Sequence, residues 1–408
     1  MLNHNQGKMN ILVIDEEFPV PLNTGKRLRS FNLIKHLASK ANITYFAYGT
    51  EDTDLSLLHD NNIDIIAVPP PNRKKSGVMF YWHLFANLFS RKPFIATNHY
   101  TSIFQDTLNN VLRTNNFDLI IAEWTPYAMY FKDLPADLSE IKRIIVAHNI
   151  ESMIWKRYLT NERNPVKRWY IGIQQRKLAR FENDCFSWAD GAIAVSADDA
   201  EKIKRMNNDI DVMVIENGVD TNYFKCLDNP VDKNTLVFTG SMDWRPNQDA
   251  VCYFIDEIFP TIKKENPQIR VYFVGRKPPA GIQRFGRIDG VTITGTVDDV
   301  RPYIDKASLI IVPIRIGGGT RLKILEAMAM EKTVISTSIG AEGLDVTNGE
   351  NIIIADDPDN FAHAIIKQLG DPDASRRLGT NGRNLVEKYY DWQVLGKKYF
   401  EFIGKVVD

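Results

Sequence analysis

Short apolar runs recur along the whole chain, each too brief for a helix and most followed by a stretch with helical periodicity. In the first half they fall at residues 10–14, 43–48, 63–68, 119–122, 144–147 and 192–195, with helical patterns between them at, for example, 27–37 and 176–186. The second half repeats the alternation, with runs at 235–239, 269–274, 291–293, 309–312 and 334–336. Strands that alternate with helices in this way build a parallel sheet wrapped by helices, the α/β class. At 408 residues the chain is long for one core, so two such domains are expected. Ligands of an open parallel sheet sit beyond the carboxyl ends of its strands, which makes the residues just after each run the first candidates for a site.

The stretch 309–343, LIIVPIRIGGGTRLKILEAMAMEKTVISTSIGAEG, carries the clearest such signal. After the 309–312 strand come Gly317, Gly318 and Gly319, then Thr320 as an N-cap and an apolar-periodic helix from Arg321 to about Met330. Glycines let a ligand approach the backbone, and the free N–H groups of a helix's first turn face it, so strand, loop and helix start together make an anion site. Arg321 and Lys323 fall in that first turn, where cations oppose the positive end of the helix dipole. A diphosphate between them would explain both. A solvated turn with a Lys323–Glu326 pair at i, i+3 is the plainer alternative.

The segment GGGTRLKILEAMA followed by TVISTSIGAEGL resembles the donor-binding region of the GT-B glycosyltransferases, and most closely their retaining family 4, also called group 1. The resemblance is strong from about Thr235 to Leu369 and weaker but colinear over the N-terminal half. It implies two Rossmann-like, doubly wound domains facing a cleft. The implied layout is an acceptor-side domain at 1–220, a linker at 221–233, a nucleotide-sugar-binding domain at 234–373, and C-terminal helices at 374–408 whose last member crosses back to the N-terminal domain. In the family a Glu, seven residues and a second Glu straddle the helix start. The second corresponds to Glu326, implied to hold the ribose hydroxyls. The first falls at Gly318, where this chain departs from the pattern, so an acidic contact near the donor sugar is not implied.

Other strand ends carry the rest of the implied site. After the first strand, DEEFPVPLNTGKRLRS resembles the first N-domain loop and makes Gly25 and Arg27 candidates beneath the donor diphosphate or the acceptor; an ordinary β–α connection explains them equally well. His148-Asn149-Ile150-Glu151 directly follows the 144–147 strand and matches the family's HN-x-E segment. This implies that His148 faces the donor sugar and orients the acceptor by hydrogen bonding. Glu216-Asn217-Gly218-Val219-Asp220 matches the segment that ends the N-domain. The loop after 235–239 opens with Gly240, and the family places an Arg and a Lys there for the diphosphate. Those places hold Ser241 and, approximately, Asn247, taken as the start of a long helix, while Arg245 lies inside the loop. Gly275 and Arg276 share the same rim with Thr296 and Val297, of which the latter pair is implied to meet the nucleotide base; Lys277 is a reserve phosphate ligand.

Two cationic regions lie outside this set. Arg73, Lys74 and Lys75 precede VMFYWHLFANLF, and Arg91 and Lys92 follow it. Such a helix can lie in a membrane interface or pack on the sheet. Aromatic stripes at helical spacing are more often core, so packing is the expected arrangement and peripheral membrane contact the alternative. Residues 156–180 hold Lys156, Arg157, Arg163, Lys167, Arg168, Arg176, Lys177 and Arg180, expected as a solvated face balanced by Glu162 and Glu182; an anionic acceptor or lipid headgroups are the functional alternative.

The net charge of −1 gives no global field for nucleic acid. Cys185, Cys226 and Cys252 are too far apart for a metal motif and form no disulfide framework, and neither a signal-peptide core nor a membrane-length apolar run is visible, which together point to the cytoplasm. The function implied is a retaining, metal-independent hexosyltransferase that moves a sugar from a nucleotide-diphospho-sugar to a glycan or lipid-linked acceptor in polysaccharide biosynthesis. No cofactor is expected beyond the donor. The acidic pairs Asp52/Asp54 and Asp357/Asp359 are taken to lie in polar loops, not after strands, and hence not to hold a metal. The alternatives are a non-catalytic sugar-nucleotide or glycan binder, which Gly318 favours, and a GT-B epimerase or phosphorylase, for which no acid–base pair or cofactor lysine stands out.

Overall fold

A computed structural model describes residues 7–50, 52–71, 76–138, 140–227, 229–316 and 322–408. They form two compact units: one runs to Glu216 and includes Leu395–Asp408, and the other is Asn217–Val394. Gly317, Gly318, Gly319, Thr320 and Arg321 lie outside the described residues, as do Arg73, Lys74 and Lys75.

The first unit is built on β1 (Asn10–Asp15), β2 (Asn42–Tyr48), β3 (Ile63–Val68), β4 (Leu119–Ala122), β5 (Lys142–Ala147), β6 (Gly191–Ala194) and β7 (Asp211–Val214). All neighbours are parallel, in the order β3-β2-β1-β4-β5-β6-β7. The chain winds outward from β1 to β3, then returns to the opposite side of β1 as β4. That reversal opens a crevice at the carboxyl ends of β1 and β4. The central strands are buried along nearly all their length, which explains why their sequences are continuous apolar runs with no polar alternation. Four helices of this unit matter below: α1 (Gly25–Ala38), α2 (Val78–Asn87), α3 (Glu151–Asn161) and α4 (Pro165–Ser187). Thr24 caps α1, its Oγ1 accepting from Arg27 N at 3.3 Å, and Leu33, Ile34 and Leu37 bury one face of it.

The second unit repeats the plan with β8 (Thr235–Thr239), β9 (Arg270–Val274), β10 (Val291–Gly295), β11 (Leu309–Val312), β12 (Val334–Ser336) and β13 (Ile353–Ile354). The order β10-β9-β8-β11-β12-β13 places its crevice between β8 and β11. Each unit is therefore a doubly wound, Rossmann-like sheet. Helix α5 (Arg245–Tyr253) starts two residues before Asn247, with Pro246 near its start, and α6 (Leu322–Ala329) follows β11. Residues of the 221–233 segment are tied into this unit: the Asp305 carboxylate accepts from Leu227 N at 3.1 Å and Asn229 N at 3.0 Å. The final helix α7 (Trp392–Val407) places Lys405 Nζ 3.0 Å from Asp211 Oδ2 and Lys40 Nζ 5.0 Å from the Phe400 ring centre, within the first unit.

Three expectations fail here. Helix α2 does not bury its aromatic stripe: Tyr81, Trp82, Phe85 and Phe89 are exposed, and the one buried residue of the helix is Asn87. The cations of residues 156–180 are not balanced by Glu182, which is buried and accepts from Ser152 N at 3.2 Å, nor by Glu162, which accepts from Asn164 N at 2.8 Å. Asp357 does follow a strand, the short β13, and there it caps the next helix by accepting from Asn360 N at 2.9 Å. A two-residue strand gives no periodic signal, so its consequences for Asp357 were invisible in the sequence.

Candidate active site

In the first unit the residues that end or follow β1, β4 and β5 come together. Asp15, the last residue of β1, is buried. Its Oδ1 lies 2.7 Å from Lys26 Nζ and its Oδ2 accepts from Tyr45 OH at 2.8 Å. Burial pushes its carboxyl up to about 7 against the opposing pull of Lys26. Lys26 also reaches Glu16 Oε1 at 2.9 Å and stands 5.6 Å from the centre of the Trp124 ring. Trp124 Nε1 donates to Glu151 Oε1 at 2.9 Å, and the His99 ring meets Trp124 edge-on at 5.1 Å.

His148 sits one residue past β5, nearly buried. Its Nε2 is 2.8 Å from the Glu123 carbonyl oxygen and 3.5 Å from Glu123 Oε1. A carbonyl only accepts, so Nε2 carries the proton and Nδ1 of the neutral ring is a bare acceptor. Burial holds the imidazole below its ordinary range, opposed by the Glu123 hydrogen bond and charge. Burial alone would raise Glu123, but His148, Ser30 and Arg29 outweigh it and keep the carboxylate ionised. Ser30 Oγ donates to Glu123 Oε1 at 2.7 Å, so the partner of His148 is itself fixed in place.

Gly25 is the first residue of α1, directly after the capping Thr24. The Arg27 guanidinium is taken up by Glu17, with Nε at 2.9 Å from Oε1 and Nη2 at 2.5 Å from Oε2, and by Asn23 Oδ1 at 3.1 Å. Those contacts favour the plain β–α connection for Arg27, and Lys26 is the cation that meets the acidic cluster. Asp15, Lys26, Glu123 and Trp124 were not singled out from the sequence. Asp15 and Glu123 stand at strand ends, so the rule that found His148 applies to them as well.

The second unit gathers the other candidates around Gly240, just past β8. Gly240 N donates to Val274 O at 2.9 Å and Met242 N to Arg276 O at 2.9 Å, which laces the loop after β8 to the loop after β9. A Cβ on Gly275 would lie 1.8 Å from Gly240 O, so no larger residue fits there. Ser241 Oγ donates to Asp243 Oδ1 at 2.6 Å and accepts from Arg276 Nε at 2.7 Å, which holds the exposed Arg276 against the loop. Asn247 turns inward and its Nδ2 donates to Ser241 O at 2.7 Å. Lys323 arrives from α6: its Nζ is 2.9 Å from Asn247 Oδ1, 3.9 Å from the Phe238 ring centre, and 2.7 Å from where a Gly240 Cβ would stand. A cation from α6 thus reaches the residue that occupies the family's lysine place.

Glu326 lies one turn further along α6, half-buried, and burial pushes its carboxyl up to about 7, with Lys323 pulling the other way. Thr296 is exposed just past β10, Val297 packs partly on the core, and Arg245 is exposed at the start of α5; among the described residues no hydrogen bond or ion pair joins these three to the Gly240 cluster. Arg315, just beyond β11 and not anticipated, is engaged by Asp249 at 3.1 Å and Glu257 at 3.3 Å. Among the described residues no group of three or more His, Cys, Asp or Glu side chains has the arrangement of a metal site. Gly275→Ala is expected to cost about 1–3 kcal/mol or more by overpacking the two loops. A thermal melt reads this, and an unchanged melting temperature would show that the loops are not locked together.

Two family models match the chain: one for the glycosyltransferase family 4 over residues 29–223, and one for glycosyl transferases group 1 over residues 233–371. The chain belongs to the GT-B glycosyltransferases of the family-4 type. Among curated relatives it is 22% identical to an uncharacterized 44.6 kDa protein of the cps region of Klebsiella pneumoniae, over 97% of this chain and 99% of that one. It is 27% identical to an uncharacterized glycosyltransferase of Methanocaldococcus jannaschii, over 46% of this chain and 53% of that one. Among solved structures it resembles sucrose-phosphate synthase from Thermosynechococcus elongatus, with TM-score 0.71, 18% identity and coverage of 98% and 99%. It also resembles HepE of Anabaena in complex with UDP, with TM-score 0.67, 14% identity and coverage of 97% and 100%. These two likenesses speak for the fold.

Proposed function

We propose that this glycosyltransferase moves a hexose from a nucleotide-diphospho-sugar to a glycan or lipid-linked acceptor, with retention of anomeric configuration and without a metal ion. The observation that carries this reading is the cationic cradle of the second unit, where Lys323 of α6 meets Asn247 beside Gly240 while Glu326 stands one turn away. The negative charge of a departing diphosphate is the costly part of the reaction, and fixed cations stabilise it as it grows. Lys323 and Arg276 supply such charge, and Arg321, outside the described residues, is assigned beside them. Glu326 is assigned to the ribose hydroxyls and Gly240, Ser241 and Gly275 to the phosphates. Thr296 and Val297 are assigned to the base, and His148 to a hydroxyl of the donor sugar.

Support comes also from the similar proteins: HepE has been crystallised with UDP-glucose, and the Klebsiella relative lies in a cps region. We place the reaction in polysaccharide assembly on the cytoplasmic side, peripheral to the membrane where the acceptor is lipid-linked. Among the described residues no helix is long and apolar enough to cross a membrane. The domain limits proposed remain 1–220, 221–233, 234–373 and 374–408.

Glu326 gives the reading a pH signature. Its raised carboxyl is partly protonated near pH 7, and ribose hydroxyls donate best to the ionised form, so nucleotide binding should release a proton and weaken as pH falls through about 7. Glu326→Ala should weaken nucleotide binding about tenfold to a hundredfold, the range for hydrogen bonds to a charged group, and Glu326→Gln should remove the pH dependence. Calorimetry in two buffers of different ionisation enthalpy, after a thermal-shift panel of UDP-, GDP- and ADP-sugars has identified the donor, measures both. Unchanged affinity in Glu326→Ala would take Glu326 out of the site.

A further inference from the structure

Helix α2 carries apolar side chains on its solvent side as well as on its inner one, where Phe80 and Leu84 are half-buried. A helix packed on a sheet buries its apolar face and shows its polar one to water. In α2 the buried residue is Asn87, tied to Gln174 Nε2 at 2.9 Å, and its backbone oxygen takes Lys177 Nζ at 2.6 Å. The solvent side carries Val78, Met79, Tyr81, Trp82 (59% exposed) and Phe85 (52%), and Phe89 (81%) follows. Trp82 and Phe85 rings lie 5.8 Å apart, and Phe85 and Phe89 rings 5.5 Å apart, so the residues form one patch. A continuous exposed patch of this kind marks a surface that something covers.

The patch continues onto α4. Val166, Tyr170, Ile173 and Lys177 recur at helical spacing and share a face, with Trp169 beside them. Since Lys177 bonds to the C-terminal carbonyls of α2, the exposed Val166 and Trp169 lie on the same side of α4, about 16 Å or less along it at 1.5 Å per residue.

Charge says what covers this surface. From Ile65 to Gln105 the sequence contains no Asp or Glu, and from Arg163 to Phe181 none either. Arg91, Lys92, Arg163, Lys167 and Arg168 are exposed, and none makes an ion pair with a described carboxylate. A second copy docked through the same face would set these cations against each other. Exposed Trp, Tyr and Phe rings rimmed by Arg and Lys that no described carboxylate neutralises suit the headgroup region of a bilayer that carries negative charge. The helix has ten residues, so it lies in the interface and does not cross it.

We propose that α2 and the N-terminal half of α4 seat the first unit on an anionic lipid bilayer. The aromatic rings of α2 enter the headgroup layer, and Arg163, Lys167 and Arg168 hold lipid phosphates. This deepens the lipid-linked-acceptor reading and rests on it for its purpose, but the test stands apart from the chemistry. Vesicles of phosphatidylglycerol with phosphatidylethanolamine should sediment the protein, and vesicles of phosphatidylcholine should sediment it much less. The combined variant Trp82→Ser/Phe85→Ser/Phe89→Ser should lose anionic-vesicle binding by about tenfold or more while keeping its melting temperature and its turnover of a soluble nucleotide sugar. Arg163→Gln/Lys167→Gln/Arg168→Gln should lose the preference for anionic vesicles, each cation accounting for about fivefold. Wild-type protein that stays in the supernatant with anionic vesicles, an aromatic variant that binds as well as wild type, or a wild-type dimer that this variant dissociates without any vesicle binding would each overturn the proposal. Wild-type protein that turns over a nucleotide sugar without binding vesicles would fail this proposal alone, and wild-type protein that binds vesicles without turning over any donor would fail the proposed function alone.

Discussion

Lys323→Ala is expected to lower nucleotide-sugar turnover by about a hundredfold, the scale on which one well-placed donor to a developing charge acts. The chain has no Arg or Lys at Ser241 or Asn247, where the family it resembles uses cations for the diphosphate. In the proposed function Lys323 makes up for this from the other side of the crevice. Its ammonium is 2.9 Å from Asn247 Oδ1 and 3.9 Å from the centre of the Phe238 ring, so it is positioned before any ligand arrives. It has almost no room to move towards the loop, because a Cβ on Gly240 would stand 2.7 Å from it. The bulkier guanidinium of Lys323→Arg is therefore expected to disturb the loop and recover little activity. The removed charge matters most to the phosphates. Lys323→Ala should weaken a nucleoside diphosphate much more than the nucleoside, and turnover more than either. Equal losses for nucleoside and diphosphate would mean that Lys323 only props up Asn247.

His148→Ala is expected to reduce kcat by about a hundredfold while leaving nucleotide affinity nearly unchanged. The ring is held by Glu123 through Nε2, and Glu123 is held by Ser30, which leaves Nδ1 as the acceptor for the sugar hydroxyl proposed above. A group that touches the sugar and not the nucleotide should act on kcat and spare nucleotide binding. Acid should abolish its function, since a protonated Nδ1 cannot accept a hydrogen bond. Burial holds the imidazole below its ordinary range, so that loss should come on the acid side of the usual histidine titration. His148→Gln keeps an acceptor and should recover part of the rate and lose the acid limb. A parallel loss of nucleotide affinity would make His148 a structural residue.

Much of this was legible because parallel strands buried on both faces write themselves as continuous apolar runs. The strands at 119–122, 235–239, 309–312 and 334–336 match the observed limits, and the strand-end rule led to His148, Gly240 and Gly275. What failed to show lies in side-chain pairings between distant segments. The sequence puts Lys323 in the first turn of a helix but says nothing of Asn247, 76 positions away. Arg27 and Lys26 look interchangeable as loop cations, yet one is spent on Glu17 and the other meets Asp15 and Glu16. The aromatic run of α2 reads as core by its composition. It is exposed because Asn87, the residue least suited to a core, is the one that Gln174 and Lys177 fasten down.

The most direct test is a proton NMR time course of the wild-type protein with an α-linked nucleotide sugar chosen from the thermal-shift panel, run in EDTA. The expected result is cleavage of the donor with the sugar appearing first as the α-anomer, in the transferred product or as the free sugar before it mutarotates. A β-anomer as first product would contradict retention, cleavage that stops in EDTA would contradict metal independence, and a donor that binds but is never cleaved, with or without candidate acceptors, would contradict the assignment of catalysis to this chain.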